Sequence, residues 1–387
     1  MRPKARRVLL AAGLLAASGL FAPAFAATPP GQPKDGAGGA GDKQAAVTKR
    51  ALGRASAATF AFYAAGPAPS SGRPVAVFLH GWGAVNPQSY GAWIDHLARN
   101  GYLVLFPRFQ EVNRTKPADA SAIAGRLVKA ALDELATDAD AKPDTSRVAL
   151  IGHLAGVPIA MNLAAEAASL GLPAPKLVFG TMPGGIASGP KARGITLTDL
   201  SAVPASTLIV TVIGDRDARA ADAAARRLLR EADKVPAERK LFVRALSDDH
   251  GFPALTATLA APAGVEAAYD GGAIKLPPEP KDAKPAPFKW SADMALSGEQ
   301  QTLVSQINNA RTDTLDYLAF WKTFDLAAAA AFSGGDAAAL KANPRFADME
   351  RWSDGWPVKR LVVETPRPPA AHNAGPAAPA VAPAARR

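Results

Sequence analysis

Two glycines around a short turn constrain the fold of this chain more than any other feature. The apolar run RVALI at 147–151 has the length and composition of a buried strand. It is followed by GHLAG at 152–156, after which an alanine-rich helical pattern begins. Glycine adopts backbone conformations that other residues reach only under strain, so this spacing predicts a sharp strand–turn–helix connection.

The same alternation of apolar runs and helical patterns continues on both sides of this turn. Repeated strand–helix units of this length predict an α/β fold with a doubly wound, mostly parallel sheet and right-handed crossovers. Strands are predicted at 74–79, 102–106, 148–151, 176–180, 207–213, 240–246 and 358–363. Helices are predicted at 90–100, at 118–136, after the turn at 152–156, at 220–231, from about Phe252, and at 312–332.

The chain of 387 residues is long enough for one large domain with appendages. We predict a flexible leader at 27–57, a core at 58–265, a C-terminal helical extension at 266–365 that packs on the core, and a disordered Pro/Ala-rich tail at 366–387. The alternative for the extension is a separate helical module that binds a partner. Residues 183–200, rich in Gly, Lys and Thr, are predicted to form a small lid or cap.

Residues 1–26 have the pattern of a secretory signal peptide. Basic residues at 2–7 precede an apolar stretch, and AFA at 24–26 forms a small-residue cleavage site before Ala27. An uncleaved anchor is the alternative, but the apolar stretch is short for a bilayer span and contains two glycines. We therefore predict export to the periplasm or the medium, with no stable membrane span. The chain has no cysteine, which excludes disulfides and is compatible with a bacterial export compartment.

The charge pattern does not favour a nucleic-acid partner. The formal charge is +10, or about +6 without the four basic residues of the first seven. The remaining excess is scattered, and no basic run is interleaved with aromatic residues. A protein partner is not identified by any motif.

The turn at 152–156 matches the Gly-x-Ser-x-Gly pattern of a nucleophile elbow, except that Leu154 stands where the serine is expected. In such a site, the N–H of the residue after the nucleophile, here Ala155, is one oxyanion-hole donor. The loop after an earlier strand supplies the other. HGWG at 80–83 follows the predicted strand 74–79, so Gly81 and Trp82 are the predicted contributors from that loop.

Two further polar residues follow the ends of later predicted strands. Asp217 is the candidate carboxylate for orienting a catalytic base, with Asp215 as the fallback. Capping of the next helix is the structural alternative for both. His250 follows the strand 240–246 and is the candidate general base. Position 154, Asp217 and His250 thus occur in the order nucleophile, acid, base.

These motifs resemble those of the α/β-hydrolases, in particular secreted bacterial esterases and polyester- or dienelactone-hydrolase-like enzymes, over about residues 74–262. The resemblance implies an α/β-hydrolase fold and hydrolysis of carboxylic esters or lactones through an acyl-enzyme, without a metal or cofactor. It also implies a small ester-like or lactone-like ligand. The implied roles are nucleophile for position 154, base for His250, orienting acid for Asp217, and oxyanion-hole donors for Trp82 and Ala155.

Leu154 breaks the family pattern, because leucine has no lone pair with which to attack a carbonyl carbon. Loss of the nucleophile from such a triad lowers kcat by roughly a millionfold. Three hypotheses follow. The protein is a catalytically inactive hydrolase that binds a ligand or partner in the old cleft, or an active hydrolase that uses an unrecognised nucleophile or water activated by His250. The third hypothesis is an interaction protein that uses its C-terminal extension.

Overall fold

A nine-stranded mixed sheet is the centre of the computed structural model. The structure describes residues 26–41, 45–54, 57–189, 192–216, 218–277, 289–296 and 300–366. The predicted signal peptide therefore lies outside the described residues except for Ala26, and the predicted tail lies outside them except for Pro366. None of the helices within the described ranges is both long enough and apolar enough to cross a bilayer.

The strands are β1 (Val47–Arg54), β2 (Ala57–Ala64), β3 (Arg73–Leu79), β4 (Leu103–Pro107), β5 (Pro143–His153), β6 (Leu177–Thr181), β7 (Leu208–Ile213), β8 (Lys240–Arg244) and β9 (Val362–Glu364). Their order across the sheet is β1-β2-β4-β3-β5-β6-β7-β8-β9. The pairs β1/β2, β2/β4 and β8/β9 are antiparallel, and the six strands from β4 to β8 run parallel. This is the α/β-hydrolase fold, and the predicted fold class is confirmed.

The helices are α1 (Gly91–Arg99), α2 (Ala120–Leu135), α3 (Gly156–Ala165), α4 (Arg219–Glu231), α5 (Gln300–Asn308), α6 (Lys322–Phe332) and α7 (Ala337–Ala342). A π-helical turn, Asp316–Trp321, leads directly into α6. Helices α1 and α6 pack together against β6, because Trp93 makes edge contacts with Phe179 and Phe324. The core is apolar on both faces of the parallel strands, which explains why those strands could be recognised as continuous apolar runs.

The strand register brings the functional loops to one edge of the sheet. Leu79 pairs with Gly152, Gly152 with Gly180, Gly180 with Thr211, and Thr211 with Phe242. These residues form one row near the carboxyl ends of five parallel strands. The loops that follow β3, β5, β7 and β8 therefore emerge side by side, as ligand sites in open α/β sheets require.

The prediction of a flexible leader at 27–57 is wrong in the described part. Strand β1 pairs along its whole length with β2, from Val47 with Ala64 to Arg54 with Ala57, and so extends the sheet at one edge. Residues 26–41 are attached to the C-terminal extension, since the Gly38 N–H donates to Asp325 at 2.8 Å. Edge strands with polar outer residues lack the apolar run by which the inner strands were recognised.

One prediction for the C-terminal half also needs correction. No helix begins at Phe252: residues 252–266 form turns joined by hydrogen bonds such as Asp248 N–H to Leu255 O at 2.9 Å. Pro253 and Pro262 lack the N–H that a helix uses. The strand predicted at 358–363 is present as the shorter β9, which pairs antiparallel with β8 and so adds a strand of the extension to the sheet.

Candidate functional site

The turn after β5 has the backbone of a nucleophile elbow. Leu154 has φ +52°, in the left-handed region that a branched side chain rarely adopts. The turn is tight enough to require glycine on both sides. A Cβ at Gly156 would lie 1.9 Å from the carbonyl oxygen of Leu79, and a Cβ at Gly152 would lie 2.6 Å from the Cα of Val157.

The Leu154 side chain fills the apex of this elbow. It is only 9% exposed and belongs to the apolar core. Its Cδ1 atom lies 3.2 Å from the position that a Cβ would take at Gly81, on the predicted oxyanion loop. The structure thus brings Leu154 and Gly81 together, and it places an apolar group at the apex, the position predicted for a nucleophile.

Beneath the apex, a buried hydrogen-bond chain joins the elbow to the oxyanion loop. The Gly81 N–H donates to the Tyr90 hydroxyl at 3.0 Å, and that hydroxyl lies 2.8 Å from Nδ1 of His153. Nε2 of His153 lies 2.8 Å from the carbonyl oxygen of Leu259, which can only accept. The proton of His153 is therefore on Nε2, and Tyr90 donates to Nδ1. Burial lowers the pKa of His153 to about 4, so the ring is neutral at pH 7.

Two backbone N–H groups at the apex, those of Trp82 and Ala155, have no hydrogen-bond acceptor among the described residues. Both residues are buried, Trp82 at 7% and Ala155 at 1% exposure. The N–H of Gly81 already donates to the Tyr90 hydroxyl, so it is not free to bind a ligand. The absence of a side chain at Gly81 leaves room for the Leu154 side chain. Unpaired buried N–H groups are costly and frequently mark a site that a ligand completes.

The two candidate acids differ in what can be described. Asp217 lies outside the described residues. Asp215 accepts hydrogen bonds from the Ser247 hydroxyl at 2.5 Å and the Ser247 N–H at 3.0 Å. Asp215 therefore holds the loop after β8 in place, and its carboxylate is not bonded to His250.

His250 is bonded to the C-terminal extension. Its Nε2 lies 2.7 Å from Oδ2 of Asp354, and its ring stacks on Trp356 at 5.5 Å and tilts against Trp352 at 5.6 Å. None of these three partners belongs to the elbow. The Trp356 N–H and the His250 ring hold the pKa of Asp354 below its usual value.

The extension also covers the elbow from the other side. A Cβ at Gly83 would lie 2.7 Å from Cγ2 of Val304 in α5. A Cβ at Gly185 would lie 3.1 Å from Cδ1 of Leu296 and 3.2 Å from Cβ of Ala155. Segments of the extension therefore contact the loop after β3 at Gly83 and the loop after β6 at Gly185, and Gly185 itself lies beside Ala155.

A cleft of about 1020 Å³ opens at the ends of β7 and β8. Its walls are partly apolar, from Leu259 and Leu303, and partly polar, from Asp215, Arg219 and Gln306. Leu154, Ala155 and Trp82 do not line it, and its link to the elbow is the hydrogen bond between the carbonyl of Leu259 and His153. The cleft is at the upper end of the size range of small-molecule sites.

Sequence reasoning missed the residues that complete this region. Tyr90 was only the first residue of the predicted helix 90–100, and His153 was only an unassigned residue of the elbow pattern. Asp354 lies 104 positions from the histidine that it contacts. The described residues contain no group of three or more His, Asp or Glu side chains suited to a metal ion.

Part of the chain is similar to a known protein family. Residues 43–215, less than half of the chain, match the family model described as chlorophyllase. The match includes position 154 and Trp82 but ends before His250. No curated protein is significantly similar to this chain.

Two solved structures align with about half of this chain. Carboxyl esterase 2 from the mycorrhizal fungus Tuber melanosporum is 16% identical, with a TM-score of 0.38, and the alignment covers 53% of this chain and 79% of the esterase. An α/β-hydrolase enzyme from a Medee basin deep-sea metagenome library is 18% identical, with a TM-score of 0.41, covering 54% of this chain and 84% of that enzyme.

Proposed function

We propose that this protein is an exported α/β-hydrolase-fold protein that binds a small ester-like or lactone-like ligand and forms no acyl-enzyme at position 154. The observation that carries the proposal is the apex of the elbow. Leu154 has the strained backbone of a nucleophile at φ +52°, yet its side chain cannot attack a carbonyl carbon. Strain of about 1–3 kcal/mol at such a residue persists only where the surrounding structure enforces it.

The ligand class follows from the groups that surround the apex. The unpaired N–H groups of Trp82 and Ala155 are donors for a carbonyl or carboxylate oxygen. The cleft that the Leu259 carbonyl links to His153 combines the apolar side chains of Leu259 and Leu303 with polar and charged groups, among them Arg219 and Arg244. A short acyl chain with one carbonyl end matches both features. The similarity of residues 43–215 to the chlorophyllase family model supports an origin among ester hydrolases.

The test compares the native protein with Leu154→Ser and Leu154→Ala, using a short-chain p-nitrophenyl ester and a fluorophosphonate label. We expect the native protein and Leu154→Ala to be inert, and Leu154→Ser to label and turn over. The alanine variant removes the bulk of leucine without adding a nucleophile, so it separates steric relief from chemistry. Labelling of the native protein would show the proposal to be wrong, and the labelled residue would be the nucleophile.

Binding is measured separately, by titrating the native protein with a non-hydrolysable ester analogue. We expect binding that is weakened by Leu259→Ala in the wall of the cleft. If Leu154→Ser is inert but this binding is present, the site has lost more than its nucleophile. If no analogue binds, the ligand-binding part of the proposal is wrong.

A second candidate function is hydrolysis by water activated at His250. The observation in its favour is the His250–Asp354 pair, in which a carboxylate orients an imidazole whose side chain is 29% exposed. This candidate predicts slow turnover of small aryl esters by the native protein without covalent labelling. His250→Ala abolishes that turnover, and turnover that persists in the variant excludes His250.

Export is tested by sequencing the N-terminus of the protein recovered from the periplasm or medium of an expressing bacterium. We expect the mature chain to begin at Ala27. Recovery of the full N-terminus in the membrane fraction would instead identify residues 8–21 as an anchor.

A further inference from the structure

Two exposed aromatic side chains belong to the segments that carry His250 and Asp354. Phe252 is 74% exposed and Trp356 is 60% exposed, and with Trp290 they are the large aromatic side chains that stand out from the surface of the described residues. Phe252 lies two residues after His250, and Trp356 stacks on the His250 ring at an angle of 14°. We call His250, Phe252, Asp354 and Trp356 the aromatic platform. Exposed apolar groups that cluster in this way mark binding surfaces more often than single exposed residues do.

The platform is held rigidly in this exposed arrangement. The turn that presents Trp356 is closed by hydrogen bonds from the Trp352 N–H to the Trp356 carbonyl and from the Gly355 N–H to the Trp352 carbonyl, both 2.8 Å. Gly355 has φ +88°, and the Trp356 N–H donates to Asp354 at 3.0 Å. On the other side, the Phe252 N–H donates to the Ala27 carbonyl at 2.8 Å. A preorganised surface loses little entropy when a ligand binds.

The polar groups of the platform favour a neutral, hydroxyl-rich ligand. Asp354 is paired with His250, and Asp248 accepts the Lys359 N–H at 2.9 Å while Lys359 Nζ reaches the Ser247 carbonyl at 2.9 Å. Arg351 also belongs to this turn, since its Nη1 donates to the Gly355 carbonyl at 2.9 Å. The acids Asp248, Asp249 and Asp354 are thus largely balanced by Arg351 and Lys359, and the patch has little net charge with which to attract an ion. What remains is one open face of an indole beside a carboxylate that can accept hydroxyl hydrogens.

A pyranose ring has the complementary chemistry, because it presents C–H bonds on its faces and hydroxyl groups around its rim. We propose that the aromatic platform is a binding site for a neutral saccharide, with a sugar ring stacked on the open face of Trp356 and its hydroxyls bonded to Asp354 and His250. The proposal does not depend on the chemistry at position 154. It rests on side chains that the ester-ligand cleft does not use.

The test measures retention of the full-length mature protein on microcrystalline cellulose, chitin and amylose. We expect retention on at least one of them, weakened about tenfold or more by Trp356→Ala, because one stacked aromatic contact is lost. Phe252→Ala should weaken it less. Trp290→Ala is the matched control, because Trp290 is 55% exposed but lies outside the platform, and it should leave retention unchanged.

Trp356→Phe guards against a folding artefact, since it keeps an aromatic face and should retain part of the binding. The proposal is overturned if none of the three polysaccharides retains the native protein, or if Trp290→Ala and Trp356→Ala lower retention equally. It is also overturned if the native protein binds phosphatidylglycerol vesicles instead and loses that binding in Trp356→Ala. That result would identify the platform as a membrane-contact surface.

Discussion

The hydroxyl of Tyr90 lies 2.8 Å from Nδ1 of His153, the residue directly before the apex of the elbow. The same hydroxyl accepts the Gly81 N–H, so one phenol satisfies a buried donor and a buried acceptor. Tyr90→Phe keeps the ring but leaves both groups unpaired. We expect it to lower the free energy of unfolding by about 3 kcal/mol, because each buried polar group without a partner costs roughly 1–3 kcal/mol.

Urea unfolding measures this loss, and Tyr63→Phe is the control. Tyr63 is also a buried tyrosine, but its hydroxyl accepts from Arg50 in a partly buried bond, and the Arg50 guanidinium also pairs with Asp138. Its loss should therefore cost well under half as much. Equal losses in the two variants would mean that the chain from Gly81 to His153 contributes nothing beyond an ordinary phenol hydrogen bond.

Gly156→Ala tests the close contact between the elbow and β3. The new Cβ would lie 1.9 Å from the carbonyl oxygen and 2.6 Å from the carbonyl carbon of Leu79. Both are backbone atoms, so no change of rotamer relieves the clash, and α3 must move away from the strand. We expect a loss of about 3 kcal/mol in the free energy of unfolding, or failure to fold. Gly189→Ala should change stability little, because nothing lies within 4 Å of its Cβ position.

The buried ring of His80 should make the free energy of unfolding depend on pH. The ring is fully buried between Phe106 and Phe109, and its Nε2 has no partner among the described residues. Burial lowers the pKa of His80 to about 4. The unfolded chain takes up this proton below pH about 6.5 while the folded chain does not. Stability is therefore constant above that pH with respect to His80, and it falls as the pH is lowered toward 4.

His80→Phe removes this titration and keeps the stacking. Between pH 6.5 and 4 the variant should lose about 3 kcal/mol less than the native protein, since each pKa unit corresponds to about 1.4 kcal/mol. Denaturant titrations at several pH values give the comparison. A variant with the same pH slope as the native protein would contradict a neutral His80. His153 is present in both proteins, so its own effect on the free energy of unfolding between pH 6.5 and 4 is the same in each and cancels in the comparison.

The parts of the fold that sequence could predict are those specified by local pattern. The strand before Gly152 is apolar throughout, and Gly152 and Gly156 are required by contacts that no other residue allows. The hairpin of β1 and β2 was missed because β1, VTKRALGR, has polar residues on its outer side. The β-branched residues of β1 and the aromatic alternation in TFAFYA of β2 were the available signal.

The site was harder to predict, because its contacts join distant parts of the chain. The position of His250 after β8 follows from strand order, but its partner Asp354 comes from the extension. Nothing local to Asp354 distinguishes it from other turn aspartates, since it also bonds the N–H of Trp356 as any turn aspartate can. Such pairings depend on tertiary packing, and the hydrophobic periodicity of a local sequence segment gives no information about it.

Asp248 provides a test of how the extension is held on the core. Its carboxylate accepts the N–H of Lys359 at 2.9 Å, the N–H of His250 at 3.2 Å and Nε1–H of Trp352 at 3.3 Å. Burial alone would raise the pKa of Asp248, but these donors outweigh it and hold the pKa below its usual value. The ionised form therefore stabilises the fold above pH about 4, and the contribution is lost as the pH falls below that.

Asp248→Ala leaves the three donors without an acceptor, and we expect a loss of about 2–4 kcal/mol at pH 7. Hydrogen exchange should speed up most at the amides of Trp352 and Lys359, because both are in the turn that Asp248 holds. Asp249→Ala is the neighbouring control: its side chain is exposed, and exchange in the extension should be unchanged. If Asp248→Ala destabilises the protein without faster exchange at residues 352–359, Asp248 stabilises only its own loop, and the extension is held by its apolar contacts.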